Sequence, residues 1–185
     1  MTVPESPTLR EPVPVPDTAD PKSLRRALGT FATGVTVVTT GGAVPHAMTA
    51  NSFTSVSLDP PLVLVCVDRC AVMHRHLAAS GRFGVSVLAD DQEAEARHFA
   101  DGSRALGAAQ FDGVGWRPGR VTGAPLLTGA LAWFECELWR SYDGGDHTIF
   151  VGRVLSLDRR RDRDALLVFR GGFRQIVPDW SEMTA

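Results

Sequence analysis

HAMTANSFTSVSLDPP, residues 46 to 61, is the stretch on which the reading of this chain turns. Thr49, Asn51, Ser52, Thr54, Ser55 and Ser57 are interleaved with Met48, Ala50, Phe53, Val56 and Leu58. A two-residue period predicts an extended segment, one face in a core and the other presenting short hydrogen-bonding groups. No charge occurs from His46 until Asp59, whereas a solvent-facing edge strand ordinarily carries long charged residues that block pairing with other chains. A neutral, concave polar wall accounts for that absence. A Ser/Thr-rich strand facing water is the alternative, and composition weighs the two about equally.

Working outward, 185 residues with 44% hydrophobic and 22% charged side chains suffice for one sizeable core. The net charge of -2, from 19 basic and 21 acidic residues, gives no electrostatic case for binding nucleic acid or an anionic membrane. Arg159, Arg160, Arg161 and Arg163 alternate with Asp158, Asp162 and Asp164 as in a solvated turn. Cys66, Cys70 and Cys136 are odd in number and lack CxxC spacing, which predicts reduced thiols in a cytoplasmic protein, Cys66 and Cys136 in the core. No run approaches the ~18 apolar residues of a membrane span. The expected organisation is a disordered, Pro-rich tail over 1–19, one domain over 20–178 and a short tail over 179–185.

Within the domain, Asp20-Pro21 supplies an N-cap acceptor and a proline at the first helical position. A helix through about Phe31 follows, with Leu24, Leu28 and Phe31 on one apolar face. Val35 to Thr40 reads as a strand, Gly41-Gly42 as a tight turn, and Val44 to Ala50 as the second arm of a hairpin. Leu62 to Val67 reads as a strand buried on both faces, Val72 to Ser80 as a helix, Phe83 to Leu88 as a strand and Asp91 to Ala100 as a helix. Gly102 to Gly129 reads as a glycine-rich excursion outside the core. Leu131 to Tyr142 and Thr148 to Leu157 read as long strands, Ala165 to Phe169 and Phe173 to Val177 as short ones. Seven or so strands with three helices predict a mainly β fold, a barrel with peripheral helices.

Four phrases, FATGVTVVTT (31–40), HAMTANSFTSVSLDPPLVLV (46–65), FGVSVLADDQ (83–92) and GDHTIFVGRV (145–154), resemble in order and spacing those of the flavin reductase family. The resemblance covers roughly Leu24 to Val177. It implies an FMN-binding split β-barrel. It also implies NADH- or NADPH-dependent reduction of FMN or FAD, as in the reductase components of two-component flavin-dependent monooxygenases. A homodimer and a separate oxygenase partner are implied with it. A tight flavin-binding electron-transfer protein, or a non-enzymatic binder of a planar cofactor, is the alternative on the same fold.

Residue by residue, the resemblance places Thr49, Ala50, Asn51 and Ser52 along the isoalloxazine ring, and Ser55, Val56 and Ser57 near the ribityl chain and phosphate. At the phosphate end stands the turn Arg69-Cys70-Ala71, where relatives have serines; backbone N–H groups of the following helix, with Arg69 or Arg75, would then hold the phosphate. His147 is placed against nicotinamide or flavin, with His46 a second candidate; a turn histidine bonded to its neighbours is the plain alternative for His147. His74 and His76 lie two apart on a helix and diverge, so no metal site is expected. Hydride transfer between stacked rings needs no obligatory acid or base. No GxGxxG fingerprint is present, so the nicotinamide nucleotide is expected to fold over the flavin in the same cleft.

Overall fold

The computed structural model describes residues 20–176. The expectations for the tails at 1–19 and 179–185, and for Val177, lie outside the described residues. The elements in order are α1 (Pro21–Leu28), β1 (Thr33–Gly34), β2 (Thr36–Thr40), β3 (His46–Ala50), β4 (Thr54–Leu58), β5 (Pro61–Asp68), α2 (Val72–Ser80) and β6 (Arg82–Val87). After them come α3 (Glu93–Ala100), a 3-10 turn (Gly107–Phe111), β7 (Trp116–Pro118), β8 (Pro125–Leu127), β9 (Ala132–Gly144), β10 (His147–Arg159), β11 (Leu167–Phe169) and β12 (Gly172–Arg174).

Seven strands form one antiparallel sheet in the order β3-β2-β6-β9-β10-β5-β4. Its two edges, β3 and β4, are consecutive in the chain, Ala50 ending one and Thr54 starting the other. Four Cα steps can span at most about 15 Å, whereas seven strands laid flat would hold their edge strands about 29 Å apart. The sheet must therefore roll until its edges nearly meet, which makes a barrel split at Asn51-Ser52-Phe53. The opening stretch is thus two strands on opposite lips of that split.

Inside the roll, Val38, Val63, Val65, Val67, Phe83, Val85, Cys136 and Phe150 form a core onto which α2 packs Met73 and Leu77. Gly152 belongs to this packing: a Cβ there would run into the Phe83 ring. A second cluster, Val35, Val37, Ala47, Leu88, Ala96, Phe99, Phe111, Leu127 and Leu166, seats α3 on the outer side of β2 and β3. β9 and β10 make the longest pairing and end in the two-residue turn Gly145-Asp146, where Gly145 has φ +79. β1, β11 and β12 form a small separate sheet beside the split.

Five expectations are corrected. First, α1 stops at Leu28, and its apolar face is uncovered, Leu24, Leu28 and Phe31 being 46%, 65% and 77% exposed. Second, β5 alternates: Val63, Val65 and Val67 are buried while Leu62, Leu64 and Cys66 are half-buried, because only one face of a barrel strand meets the interior. Cys66 is accordingly no core residue. Third, the segment after Gly102 is no excursion, since Gln110, Phe111, Ala124, Leu126 and Leu127 are buried. Fourth, α3 begins at Glu93, two residues late. Fifth, the apolar half of the opening period does not all turn inward, as Val56 and Leu58 on β4 are exposed.

Candidate functional site

At the split a buried hydroxyl is left without a protein partner among the described residues. Asn51 stands exposed at its rim, opposite the end of α1 and the small sheet. Between them lies a cavity of about 280 Å3 lined by Arg25, Leu28, Phe31, Thr33, Asn51, Val168, Phe169 and Arg170. Its walls are largely apolar. The Thr33 hydroxyl is buried without a hydrogen-bond partner among the described residues, and an orphan of that kind in a native cavity calls for a ligand or water. Short of Arg25 and Arg170 the donor set is neutral.

A second group of contacts frames the same region. The turn after β5 latches onto the β9-β10 tip: the Arg69 N–H donates to the Asp146 carbonyl at 3.0 Å, and the Arg69 guanidinium meets Asp143 at 2.9 Å and the His147 carbonyl at 3.4 Å. His147 Nδ1–H donates to the Asp146 carboxylate at 2.7 Å and the ring stays partly exposed. That hydrogen bond is the first reason the Asp146 carboxyl sits below its ordinary pKa. The His147 charge adds to it, and Arg25 contributes a smaller pull. Asp143 is likewise lowered, by the Gly145 N–H first and then by Arg69. On α2, His74 Nε2 lies 2.8 Å from the Thr148 hydroxyl.

Not every residue expected at the wall faces this cleft. Thr49 donates its hydroxyl to the Ala96 carbonyl of α3 at 2.7 Å, and Ala50 lies in the barrel core. Ser52 is taken up by β5, its hydroxyl 3.0 Å from both the carbonyl and the N–H of Cys66. Of the side chains expected along the wall from Thr49 to Ser52, Asn51 alone is exposed, because the chain turns there from one lip to the other. Ser55 and Val56 are exposed and Ser57 half-buried along β4.

At the phosphate end, Cys70 N–H already donates to Asp68 Oδ1 at 2.7 Å and Ala71 N–H to the Asp68 carbonyl at 3.0 Å. Ala71 caps α2 without a side-chain hydrogen bond; the His74 N–H donates to the Ala71 carbonyl at 3.1 Å, and the Val72 and Met73 N–H groups have no side-chain cap. Arg69 is committed to the hairpin tip, and Arg75 is exposed on the first turns of α2. His46 stands apart from the cleft beside Asn51. It is 3% exposed, stacks on His76 at 4.9 Å, and lines a different cavity with Met48, Cys70, Ala71 and Arg104. Burial, then the charges of Arg104 and His76, lowers its pKa to about 4, so it is a neutral packed ring.

Sequence reasoning missed Arg25, Phe31, Thr33, Phe169 and Arg170 as lining of the cleft. Phe31 and Thr33 lie inside the FATGV phrase and could have been taken with it; Arg170 gives no local signal at all.

Against these residues a flavin fits. An apolar slot with the Asn51 amide and the Thr33 hydroxyl at its edge suits a planar ring bearing carbonyl and ring-nitrogen acceptors. The first turn of α2 suits a phosphate. Residues 28–177 match the family described as flavin reductase like domain. The chain belongs to that family.

Relatives within the flavin reductase family are close. The chain is 54% identical to the NADH-dependent FAD reductase of Streptomyces globisporus, over 96% of this chain and 97% of that one. The solved structure of the Streptomyces globisporus C-1027 NADH:FAD oxidoreductase SgcE6, in complex with NAD and FAD fragments, superposes with a TM-score of 0.86 at 53% identity, covering 91% of this chain and 99% of that one. BorF, the flavin reductase component of a bacterial two-component tryptophan halogenase, superposes with a TM-score of 0.83 at 61% identity, covering 86% and 99%.

Proposed function

We propose that this protein reduces FMN or FAD with NADH or NADPH and releases the reduced flavin to a separate flavin-dependent oxygenase. The observation that carries the reading is the cleft at the barrel split, apolar on its walls, with the Thr33 hydroxyl unpartnered and Asn51 exposed at its lining. When bound, the flavin supplies the hydride acceptor and the nicotinamide the hydride. The protein's part is to position two rings and exclude water, which requires no triad or metal. Asn51 and Thr33 hydrogen-bond the ring edge. Arg75 and the first turn of α2 take the flavin phosphate, with Ser55 and Ser57 along the way, and His147, at the hairpin tip, meets the nicotinamide. Names among the relatives support the chemistry, and BorF supports release to a partner.

The active form is a homodimer. Leu24, Leu28 and Phe31 on one side of the split and Val56 and Leu58 on the other are exposed, and β4 is an edge strand with no charge until Asp59. Such surfaces ask for a cover, and a second copy supplies one symmetrically. Three free cysteines suit a cytoplasmic location. Among the described residues no helix is long and apolar enough to cross a membrane.

The test is turnover titrated with FMN and with FAD, each with NADH and NADPH. Nucleotide consumption should saturate with added free flavin. A purified protein that stays yellow and consumes no nucleotide on flavin addition would instead be a flavin binder.

A further inference from the structure

Next to the cavity beside Asn51 lies a groove of about 500 Å3 between the last turn of α1 and the β11-β12 turn, lined by Arg25, Arg26, Thr30 and Arg170. Arg25 and Arg170 line both spaces, so the two are neighbours. None of the three guanidinium groups has a carboxylate partner among the described residues. Arg69 with Asp143 and Arg97 with Glu93 show the paired alternative. Arg25 and Arg26 at a helix C-terminus have an ordinary explanation in the helix dipole. Arg170 has none.

Arg170-Gly171 is a two-residue hairpin turn with φ of 51 and 73, both positive. Such a turn favours Asn-Gly, and a long side chain in the left-handed region is strained. Arg170 is the one non-glycine residue with positive φ among the described residues. It is held there by its N–H donating to the Gly29 carbonyl at 2.7 Å, and its guanidinium lies 4.9 Å from the centre of the Phe169 ring. An uncommon backbone conformation retained at an arginine that lines a groove with two others points to a function.

We propose that Arg25, Arg26 and Arg170 form the site for the pyrophosphate of the nicotinamide dinucleotide. This rests on the reading of the protein as a nicotinamide-dependent reductase. The occupant follows from position. The groove shares Arg25 and Arg170 with the cleft beside Asn51, so it lies next to the place proposed for the two rings. The flavin phosphate has its own site at α2, reached along β4. A pyrophosphate carries two negative charges and planar acceptor faces, which guanidinium groups match in pairs. The Asp146 carboxylate is already engaged by His147 and leaves the arginines available.

The experiment compares the wild type with Arg25→Ala, Arg170→Asn and the double variant, asparagine being chosen because it tolerates the left-handed conformation. Binding of ADP-ribose, which carries the pyrophosphate and no redox ring, is measured by calorimetry independently of turnover. The double variant should bind ADP-ribose at least about tenfold more weakly and show a similar rise in KM for NADH, with the KM for FMN nearly unchanged. Reduced nicotinamide mononucleotide, which lacks the pyrophosphate, should lose far less. Unaltered ADP-ribose affinity in the double variant overturns the proposal, as does a loss that falls on FMN or FAD instead. Wild-type binding of ADP-ribose that the variants weaken, in a protein without NADH turnover, upholds the groove while refuting the reductase. Normal turnover with variants that bind ADP-ribose as the wild type does refutes the groove alone.

Discussion

Two regions of this barrel are dense in polar groups and treat them in opposite ways. At the turn of residues 119–124, the buried Glu135 carboxylate accepts the N–H groups of Arg120, Val121 and Thr122 at 3.1, 2.8 and 2.7 Å and the Thr122 hydroxyl at 2.9 Å. Burial pushes its pKa up, yet those donors outweigh burial and leave it lowered. Every group there is matched by another. At the barrel split the Thr33 hydroxyl is buried without a partner and Asn51 is open. A charge alone therefore does not mark a site; Glu135 is more conspicuous than Thr33, and it is a fastener. What separates the two is whether the protein has supplied the other half of each hydrogen bond.

The largest effect expected from that contrast is on stability. Glu135→Ala removes the acceptor of three backbone donors at once and should cost about 3 kcal/mol or more, read as a lowered denaturation midpoint. Glu135→Gln, retaining one acceptor oxygen, should cost less. Flavin turnover per folded molecule should hold in both; a fully stable Glu135→Ala protein that has lost turnover would reverse the comparison.

Asn51→Leu should do the converse. A bulky apolar side chain at the lip fills the cleft and strips its amide, so flavin affinity should fall by about 100-fold or more while the thermal midpoint stays close to wild type. Ser52→Leu is no longer an equivalent test, because the Ser52 hydroxyl bridges to Cys66 and its loss should lower stability as well. Quenching of flavin fluorescence and a melting curve on the same sample distinguish the two variants. An Asn51→Leu protein that binds flavin normally would move the ring away from the split.

His46 sharpens the comparison from the titration side. Its folded pKa of about 4 lies below the ordinary histidine value of 6.5, so below pH 6.5 the unfolded chain binds the proton more readily than the folded one. Stability should therefore be full above about pH 6.5 and decline as pH falls toward 4, by about 3 kcal/mol in all. Denaturant titrations at a series of pH values should show this slope, and His46→Gln should flatten it. An unchanged slope would mean that His46 titrates normally and faces water after all.

How much of this was legible beforehand follows from the range of the signals. The β-branched run at β2, the helix α2 and the hairpin arms at β9 and β10 depend on neighbours in sequence, and pattern reading finds them. Phe111, Leu126 and Leu127 were misread because glycine and turn residues around them mask three side chains that fill the core across long distances. The opening stretch was legible as extended, but its period does not say that Asn51 to Phe53 would cross from one sheet edge to the other. That crossing sends the Thr49 hydroxyl to α3 and leaves Asn51 in the cleft. Arg170 could not be found from spacing at all, since its role depends on a turn near the far end of the chain meeting α1.

The smallest effect concerns His147, where the two ways of treating a polar group meet in one residue. Its Nδ1 is satisfied by Asp146 at 2.7 Å, while the ring remains partly exposed at the hairpin tip. One half of the imidazole is thus fixed by the protein and the other is open to a ligand, an arrangement that orients a ring without making it reactive. If that open side meets the nicotinamide, His147→Ala should raise KM for NADH about tenfold, the worth of a single hydrogen bond of roughly 0.5–1.5 kcal/mol, and should leave flavin affinity nearly unchanged. Turnover at saturating nucleotide should fall little, because hydride transfer takes no proton from the side chain. Asp146→Asn should reproduce part of the effect by loosening the ring, which a histidine that only shapes its turn would not. Nucleotide dependence followed by absorbance, with flavin binding followed by fluorescence, reads both. A rise in the flavin dissociation constant with nucleotide KM unchanged would transfer His147 to the flavin, and no change in either would leave it a residue of the turn.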